Sequence, residues 1–255
     1  MIKLNYKNFE KHGFKYVKFN DDLKKFIKEV NKIISDHFRE NKYKKEDDYA
    51  GHVLKIQNTI NEKCSPKYFF QKNKKIFKKL FNSNKFAIQH YFYFRAIKPS
   101  KFSKNTLKPV NFHRETFQGP KFFKNCINLW IPLKNCSNLN SLNYYPGSHK
   151  FKLKKDFSYV EKITKVKKYS NAHKNGSLYK EKILTFNKKI KTKKLFRKDN
   201  IILFSGELIH GSAMNKSTKV RMSLDVRFML KEHMKFNPVQ SSTNKKYFQT
   251  ISINK

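Results

Sequence analysis

The sequence predicts an α+β domain, or a β-barrel with helices packed on one side. Helical patterns crowd the first 85 residues, and strand patterns dominate from Phe86 onward. Helices first and strands afterwards is the order that such folds show. A length of 255 residues suits one domain with a sizeable core, and no repeat or linker divides it. A hydrophobic content of 38% is that of a globular chain despite the heavy charge.

Taken in order, Asn20 is placed to cap a helix whose first turn carries Asp21 and Asp22, where carboxylates suit the helix dipole. Leu23, Phe26, Ile27, Val30, Ile33, Ile34 and Phe38 then form one apolar stripe. A second helix is expected after Pro66, with Phe69, Phe70, Ile76, Phe77, Leu80 and Phe81 on its buried side. Gln57 and Asn58, on a helix-like or loop stretch, receive no role. Phe86 to Ile97 reads as a strand that puts Gln89, Tyr91, Tyr93 and Arg95 on one face, either lining a pocket or packed under the helices. Cys126 to Leu133 and Asn200 to Ser205 are further strands. Val220 to Phe228 alternates, with Arg221, Ser223, Asp225 and Arg227 on its polar face. A lysine-rich insertion with a flexible turn at Asn171 to Ser177 is expected over about 150–198, and 231–255 form a C-terminal extension.

The charge narrows the partners. Against 58 Lys+Arg stand 18 Asp+Glu, a net +40, which attracts anions. The basic residues run from Lys3 to Lys255 without a recognition helix or an aromatic stacking platform. Nucleic-acid binding is therefore expected to be weak and non-specific, and an anionic or polar small molecule, such as a phosphorylated sugar, fits better. No apolar run approaches the roughly 20 residues of a membrane span. Met1 to Phe9 is polar and does not read as a secretory signal. Cys64, Cys126 and Cys136 match no zinc spacing and read as reduced thiols of a cytoplasmic protein. His37, His52 and His90 read as surface or core residues.

Three short motifs carry chemistry. His113-Arg114-Glu115 offers an imidazole and a carboxylate to one side if the segment is extended. His210 follows an apolar strand and the turn-forming Ser205-Gly206. Two histidines and one carboxylate on one face of a metal leave positions open opposite, as in the facial triad of non-haem iron(II) oxygenases. Arg221, eleven residues after His210, can hold a carboxylate bidentately, and Ser223 faces the same way. 2-Oxoglutarate needs such a clamp at its far carboxylate. A solvated strand face would show the same alternation. Asp225 and Arg227 are expected to pair with neighbouring strands.

With these motifs go Asn111-Phe112-His113-Arg114-Glu115-Thr116, Asn128-Leu129-Trp130-Ile131-Pro132-Leu133, Tyr145-Pro146-Gly147-Ser148-His149-Lys150 and the stretch from His210 to Arg227. Together, over roughly residues 86–230, the chain resembles the phytanoyl-CoA dioxygenase superfamily of Fe(II)/2-oxoglutarate oxygenases, and within it most resembles the bacterial carbohydrate-cluster branch. The resemblance implies a double-stranded β-helix (jelly-roll, cupin-like) core with the N-terminal helices on one side. It implies His113, Glu115 and His210 as iron ligands, Arg221 on the distal carboxylate of 2-oxoglutarate, and Ser212 and Trp130 as co-substrate contacts. His149 falls in a structural turn. It implies a dioxygenase acting on a sugar, aminosugar or nucleotide-linked carbohydrate precursor. The same chemistry on another metabolite or on nucleic acid is an alternative, and a non-catalytic jelly-roll binding module is the reading from a different class. The family usually has Asp where this chain has Glu115, a longer but still hard oxygen donor. A carboxylate there also argues against halogenation, which needs a small residue to leave room for halide.

Overall fold

A computed structural model of the protein describes residues 7–41, 49–102, 111–118, 125–165, 178–187, 189–235, 237, 239–240 and 245–253. The expected turn at Asn171 to Ser177 lies outside them.

The chain opens with α1 (Lys7–His12), β1 (Phe14–Lys18), α2 (Asp21–Glu40), α3 (Tyr49–Lys63), α4 (Pro66–Lys72) and α5 (Lys74–Phe81). The strands β2 (Lys85–Gln89) and β3 (Tyr93–Ile97) follow, then a short α6 (Glu115–Gln118), β4 (Ile127–Lys134) and β5 (Leu142–Tyr144). Next come β6 (Phe157–Lys165), β7 (Leu178–Phe186), β8 (Lys193–Leu195), β9 (Asn200–Ser205), β10 (His210–Ser212) and β11 (Arg221–Leu230). The chain ends in β12 (Val239–Gln240), β13 (Lys245–Lys246) and β14 (Phe248–Ser252).

All strand pairs are antiparallel. The major sheet runs β1-β9-β4-β11-β2-β14, with β3 pairing β11 beside β2, and the minor sheet runs β10-β5-β8. Residues directly opposite each other in a sheet share a face, which sorts the side chains into two layers. Ile127, Leu129, Ile131, Ile201, Leu203, Leu224, Val226 and Phe228 face the helices and merge with Leu23, Phe26, Val30, Ile56, Phe69, Phe70 and Phe77. Trp130, Ile202 and Phe204 face the other way and pack on Leu142, Tyr144 and Leu195 of the minor sheet. Two facing antiparallel sheets with helices outside one of them make the jelly roll that the resemblance implied.

The aromatic core between helices and sheet centres on Phe228. Its ring lies 5.0, 5.4, 5.7 and 6.2 Å from those of Phe70, Phe81, Phe77 and Phe86. Truncating a buried Phe typically costs about 3–5 kcal/mol. Phe228→Ala is therefore expected to lower the unfolding free energy, measured by denaturant titration, by that amount, and a loss below about 1 kcal/mol would show that the cluster is loosely packed.

Local expectations hold at α2, where the Asn20 side chain accepts from the Leu23 amide at 2.9 Å. Elsewhere the structure corrects them. The first 85 residues are not all helical, because β1 is the edge strand of the major sheet, with Phe14 opposite Phe204 and Tyr16 opposite Ile202. The helix after Pro66 breaks at Asn73, whose side-chain amide donates to the Phe69 carbonyl at 2.9 Å and so competes with the next helical turn. The strand expected over Phe86 to Ile97 is interrupted around Tyr91. There the Phe92 and Phe94 amides donate to Asn61 (2.6 Å) and Gln57 (3.0 Å) of α3 instead of to a strand, which gives Gln57 a structural role. The insertion around 150–198 contains the paired strands β6 and β7, and its end, β8, belongs to the minor sheet. The C-terminal stretch is not merely an extension, since β14 pairs with β2 along its whole length.

Candidate metal centre

His113 and His210 stand 97 residues apart in sequence and face each other across two backbone hydrogen bonds, His113 N to His210 O at 2.9 Å and the reverse at 3.0 Å. The Glu115 amide donates to the Gly206 carbonyl at 2.9 Å. The motif is thus clamped to the loop before β10. The geometry differs from the extended segment expected, because Glu115 begins α6 and its side chain arrives by a helical turn. Glu115 Oε1 lies 3.8 Å from His113 Nε2 and 3.7 Å from His210 Nε2. One donor atom from each residue falls within 4.8 Å of the other two, spacing that suits one shared ion.

The second nitrogen of each ring is already used. His113 Nδ1 meets the Asn111 carbonyl at 2.7 Å and His210 Nδ1 meets the Leu208 carbonyl at 2.9 Å. A carbonyl only accepts, so each Nδ1 carries the proton and each Nε2 presents a lone pair to the shared point. Burial, and then the neighbouring His113, lowers the His210 pKa to about 3. Burial likewise lowers that of His113. Burial alone would raise the Glu115 pKa, but the Arg227 guanidinium and the two imidazoles outweigh it and bring it down to about 2. Neutral imidazoles beside an ionised carboxylate are the protonation states that bind a divalent cation.

These shifts fix how the metal-free protein responds to acid. Unfolded, His210 takes a proton near pH 6.5 and Glu115 near 4.5; folded, they do so only near about 3 and about 2. Within each window the unfolded state binds more protons, so stability rises with pH and is lost as pH falls. The Tm of the metal-free protein is expected to drop steadily from about pH 6.5 towards 3. A flat Tm across that range would mean that the imidazoles are solvated.

Along the inner face of β11, Arg227 stands opposite Asn128, Asp225 opposite Trp130 and Ser223 opposite Pro132. Phe204, opposite Asn128, stacks edge-on against His210 at 4.5 Å, which puts His210 above the Arg227 row. Arg221 lies three rows away. Its guanidinium leans back over the Trp130 ring, 5.7 Å from the centroid, towards the triad. Arg221 and Ser223 are buried, at 1% and 0% exposure. Among the described residues, Arg221 Nε and Nη1 and Ser223 Oγ have no hydrogen-bond partner. Buried polar atoms rarely stay unpaired, and a buried guanidinium without a counter-ion is costly. Arg221 and Ser223 thus leave buried hydrogen-bonding atoms unused on the inner face. Ser212 lies on β10 two residues beyond His210, opposite Leu142 of β5.

The remaining expectations sort by the same face. Gln89, Tyr93 and Arg95 lie on the face that carries Ser223 and Asp225 and not under the helices: Gln89 Oε1 accepts from the Arg227 amide at 2.7 Å, and Arg95 pairs with Asp225 at 3.1 Å. Tyr91 lies in the break between β2 and β3. Asp225 pairs across strands as expected. Arg227 Nε donates instead to Glu115 Oε2 of α6. His149 follows Gly147, whose φ of 73° closes the turn, and packs against Gly13 outside the donor cluster. Two residues that sequence reasoning left without a site role support the ligands. Arg227 holds Glu115, and Arg114 spans Glu207 (3.0 Å), the Ser148 carbonyl and the Phe151 carbonyl (2.7 Å), pinning the loop between the two ligands on its chain segment.

A jelly-roll interior with two imidazoles and a carboxylate around one point, and a buried arginine beside them, is the arrangement of non-haem Fe(II)/2-oxoglutarate dioxygenases. The chain belongs to the phytanoyl-CoA dioxygenase family, whose sequence model matches residues 6–223. A search of curated proteins finds no sequence match. Among solved structures the chain is similar to the α-ketoglutarate-dependent epimerase SnoN from nogalamycin biosynthesis, at 12% identity and a TM-score of 0.49, over 87% of this chain and 80% of that one. It is also similar to EctD from S. alaskensis, at 14% identity and a TM-score of 0.49, over 94% and 80% of the two chains. AviO1 from Streptomyces viridochromogenes Tue57 gives 13% identity and a TM-score of 0.45, over 88% and 92%. Among the described residues no helix is long and apolar enough to cross a membrane.

Proposed function

We propose that His113, Glu115 and His210 hold the iron(II), that Arg221 with Ser223 binds the distal carboxylate of 2-oxoglutarate, and that Ser212 and Trp130 line the path between them. The observation that carries this reading is the buried guanidinium of Arg221, two of whose nitrogens have no partner among the described residues, in the same interior as a three-residue donor cluster. A binding module with the same fold has no use for both. When bound, the iron couples oxidative decarboxylation of 2-oxoglutarate to oxidation of a substrate C–H bond. For hydroxylation, substrate, dioxygen and 2-oxoglutarate give hydroxylated product, succinate and carbon dioxide. The chain supplies the rest: Arg221 orients the co-substrate, the backbone carbonyls of Asn111 and Leu208 fix the imidazole tautomers, and Trp130, Ile202 and Phe204 exclude water from one wall.

The substrate is a small polar metabolite, a sugar, aminosugar or nucleotide-linked carbohydrate precursor, as in the carbohydrate-cluster branch. In support, the interior face adds hydrogen-bonding groups beyond those needed for iron and co-substrate: the Arg95–Asp225 pair, Tyr93 and the unpartnered Nδ2 of Asn128. The net charge of +40 favours an anionic substrate such as a phosphorylated sugar. Residues 1–255 act as one oxygenase domain, and the three free cysteines suit a cytoplasmic setting. The test is succinate formation by the iron(II)-loaded protein with nucleotide sugars, sugar phosphates and aminosugars. Stimulation by one class supports the reading, and stimulation only by non-carbohydrate metabolites sinks the substrate assignment. DNA and RNA of mixed sequence are expected to bind weakly at about 150 mM salt and to release as salt rises further. Tight, sequence-selective binding there would point instead to a nucleic-acid substrate.

A further inference from the structure

The geometry points to Arg227 as a positioning residue that makes Glu115 a one-oxygen donor and thereby keeps the rest of the metal's coordination sphere open for co-substrate. This rests on the triad reading above and extends it to a residue outside the triad.

The two carboxylate oxygens of Glu115 do different things. Oε1 faces both histidine Nε2 atoms, at 3.8 and 3.7 Å. Oε2 turns away and accepts from Arg227 Nε. A guanidinium N–H on one oxygen favours binding of the metal through the other alone, because chelation by both would break a charge-assisted hydrogen bond inside the protein. The pair is shielded from water: Glu115 is 3% exposed, and the Arg227 side chain 17%.

Arg227 is itself held in place. Its backbone amide donates to Gln89 Oε1 at 2.7 Å, and Gln89 Nε2 reaches the Tyr247 hydroxyl at 2.6 Å. Its guanidinium carbon lies 5.9 Å from the Tyr93 ring centroid. On its other side it stands opposite Asn128 in the β4–β11 register. Three strands and the C-terminal segment thus fix the donor before any metal arrives.

The need for a tether follows from Glu115 itself. A glutamate has one more rotatable bond than an aspartate, so it can swing or chelate more freely. The Glu115 backbone is clamped to the Gly206 carbonyl, so the freedom left is that of its side chain. Arg227 removes that freedom from outside the metal's coordination sphere.

The test compares wild type, Arg227→Gln and Arg227→Lys, each loaded with Co(II), whose visible absorption reports coordination number. Wild type is expected to take up one Co(II), and a crystal structure of it should show Glu115 bound through Oε1 alone with Arg227 still on Oε2. Arg227→Gln should retain Co(II) with a changed visible spectrum, and its affinity for 2-oxoglutarate should fall by about tenfold or more, the scale of losses at groups behind metal ligands. Arg227→Lys, which keeps a charged donor, should recover much of both. Co(II) held by both Glu115 oxygens in wild type would overturn the proposal, and so would an Arg227→Gln protein with wild-type spectrum and 2-oxoglutarate affinity. If Arg227→Gln does not fold, the wild-type crystal structure decides alone. Failure of the wild type to bind Co(II) at all would overturn the triad reading, and this proposal with it, whereas Co(II) uptake with two-oxygen binding overturns this proposal only.

Discussion

Arg221→Ala is expected to weaken 2-oxoglutarate binding by about 2–5 kcal/mol, roughly 30- to 4,000-fold in Kd, while metal affinity stays near wild type. The reason is position. Arg221 starts β11 three rows from the Arg227–Glu115 pair, so it touches none of the three donor residues. Yet it is buried, and two of its nitrogens have no partner among the described residues. A calorimetric titration of 2-oxoglutarate into the Mn(II)-loaded protein reads the effect. Unchanged affinity would show that the guanidinium serves packing against Trp130 and nothing more. A second substitution sharpens the test. Arg221→Met keeps much of the volume but removes a buried charge with two unpaired nitrogens, and such replacements are often neutral or stabilising. The ligand-free Arg221→Met protein is therefore expected to melt no lower than wild type while binding co-substrate as poorly as the alanine variant. A residue kept for binding at the expense of stability gives that opposed pair of results; a structural arginine loses stability instead.

What was legible in the sequence divides by sequence distance. The Asn20 cap, the stripe along α2 and the alternation of β11 are written in neighbours three or four residues apart or every second residue, and periodicity reads them directly. The edge strand β1 was lost among helices because five residues with two lysines and half-buried side chains carry little period-two signal. The Phe86 to Ile97 break needed Asn61 and Gln57 of α3, more than thirty residues away, to supply the missing hydrogen bonds. The β6–β7 pairing lay hidden in lysine-rich strands whose alternation is weak.

The site shows the same division. Motif order and residue chemistry suffice to name His113, Glu115, His210 and Arg221 as candidates, and the fold brings the first three together. The polar face of β11 was ambiguous for a physical reason: a water-filled interior and bulk solvent select the same residues. Only the pairing of Asp225 with Trp130 and Arg227 with Asn128, and the Arg221 guanidinium over the Trp130 ring, shows that this face looks inward. Arg227 was assigned to a strand partner because nothing local connects it to Glu115, 112 residues earlier. A charge on the polar face of the strand that carries Arg221 was the available signal, and it gave no partner.

The triad itself is expected to fail in all readouts together when one ligand is removed. Losing a group that merely supports a metal ligand typically costs 10- to 100-fold in affinity or activity, so losing a ligand should cost more than about 100-fold. His210→Ala is the cleanest choice. Glu115→Ala would also strand the charge of Arg227, and an unpaired buried charge destabilises by about 3–5 kcal/mol on its own account. His210 makes one backbone contact through Nδ1 and stacks on Phe204, so its loss leaves a small cavity next to an apolar wall. Metal titration of His210→Ala should show more than about 100-fold weaker binding, and succinate formation should fall to background. The Arg221 site is untouched, so the two defects separate: Arg221→Ala loses co-substrate and keeps metal, whereas His210→Ala loses metal and, with it, the anchor for the keto-acid end of the co-substrate. An His210→Ala protein that binds metal as wild type does would place the ion elsewhere and remove the basis for a facial triad in this chain.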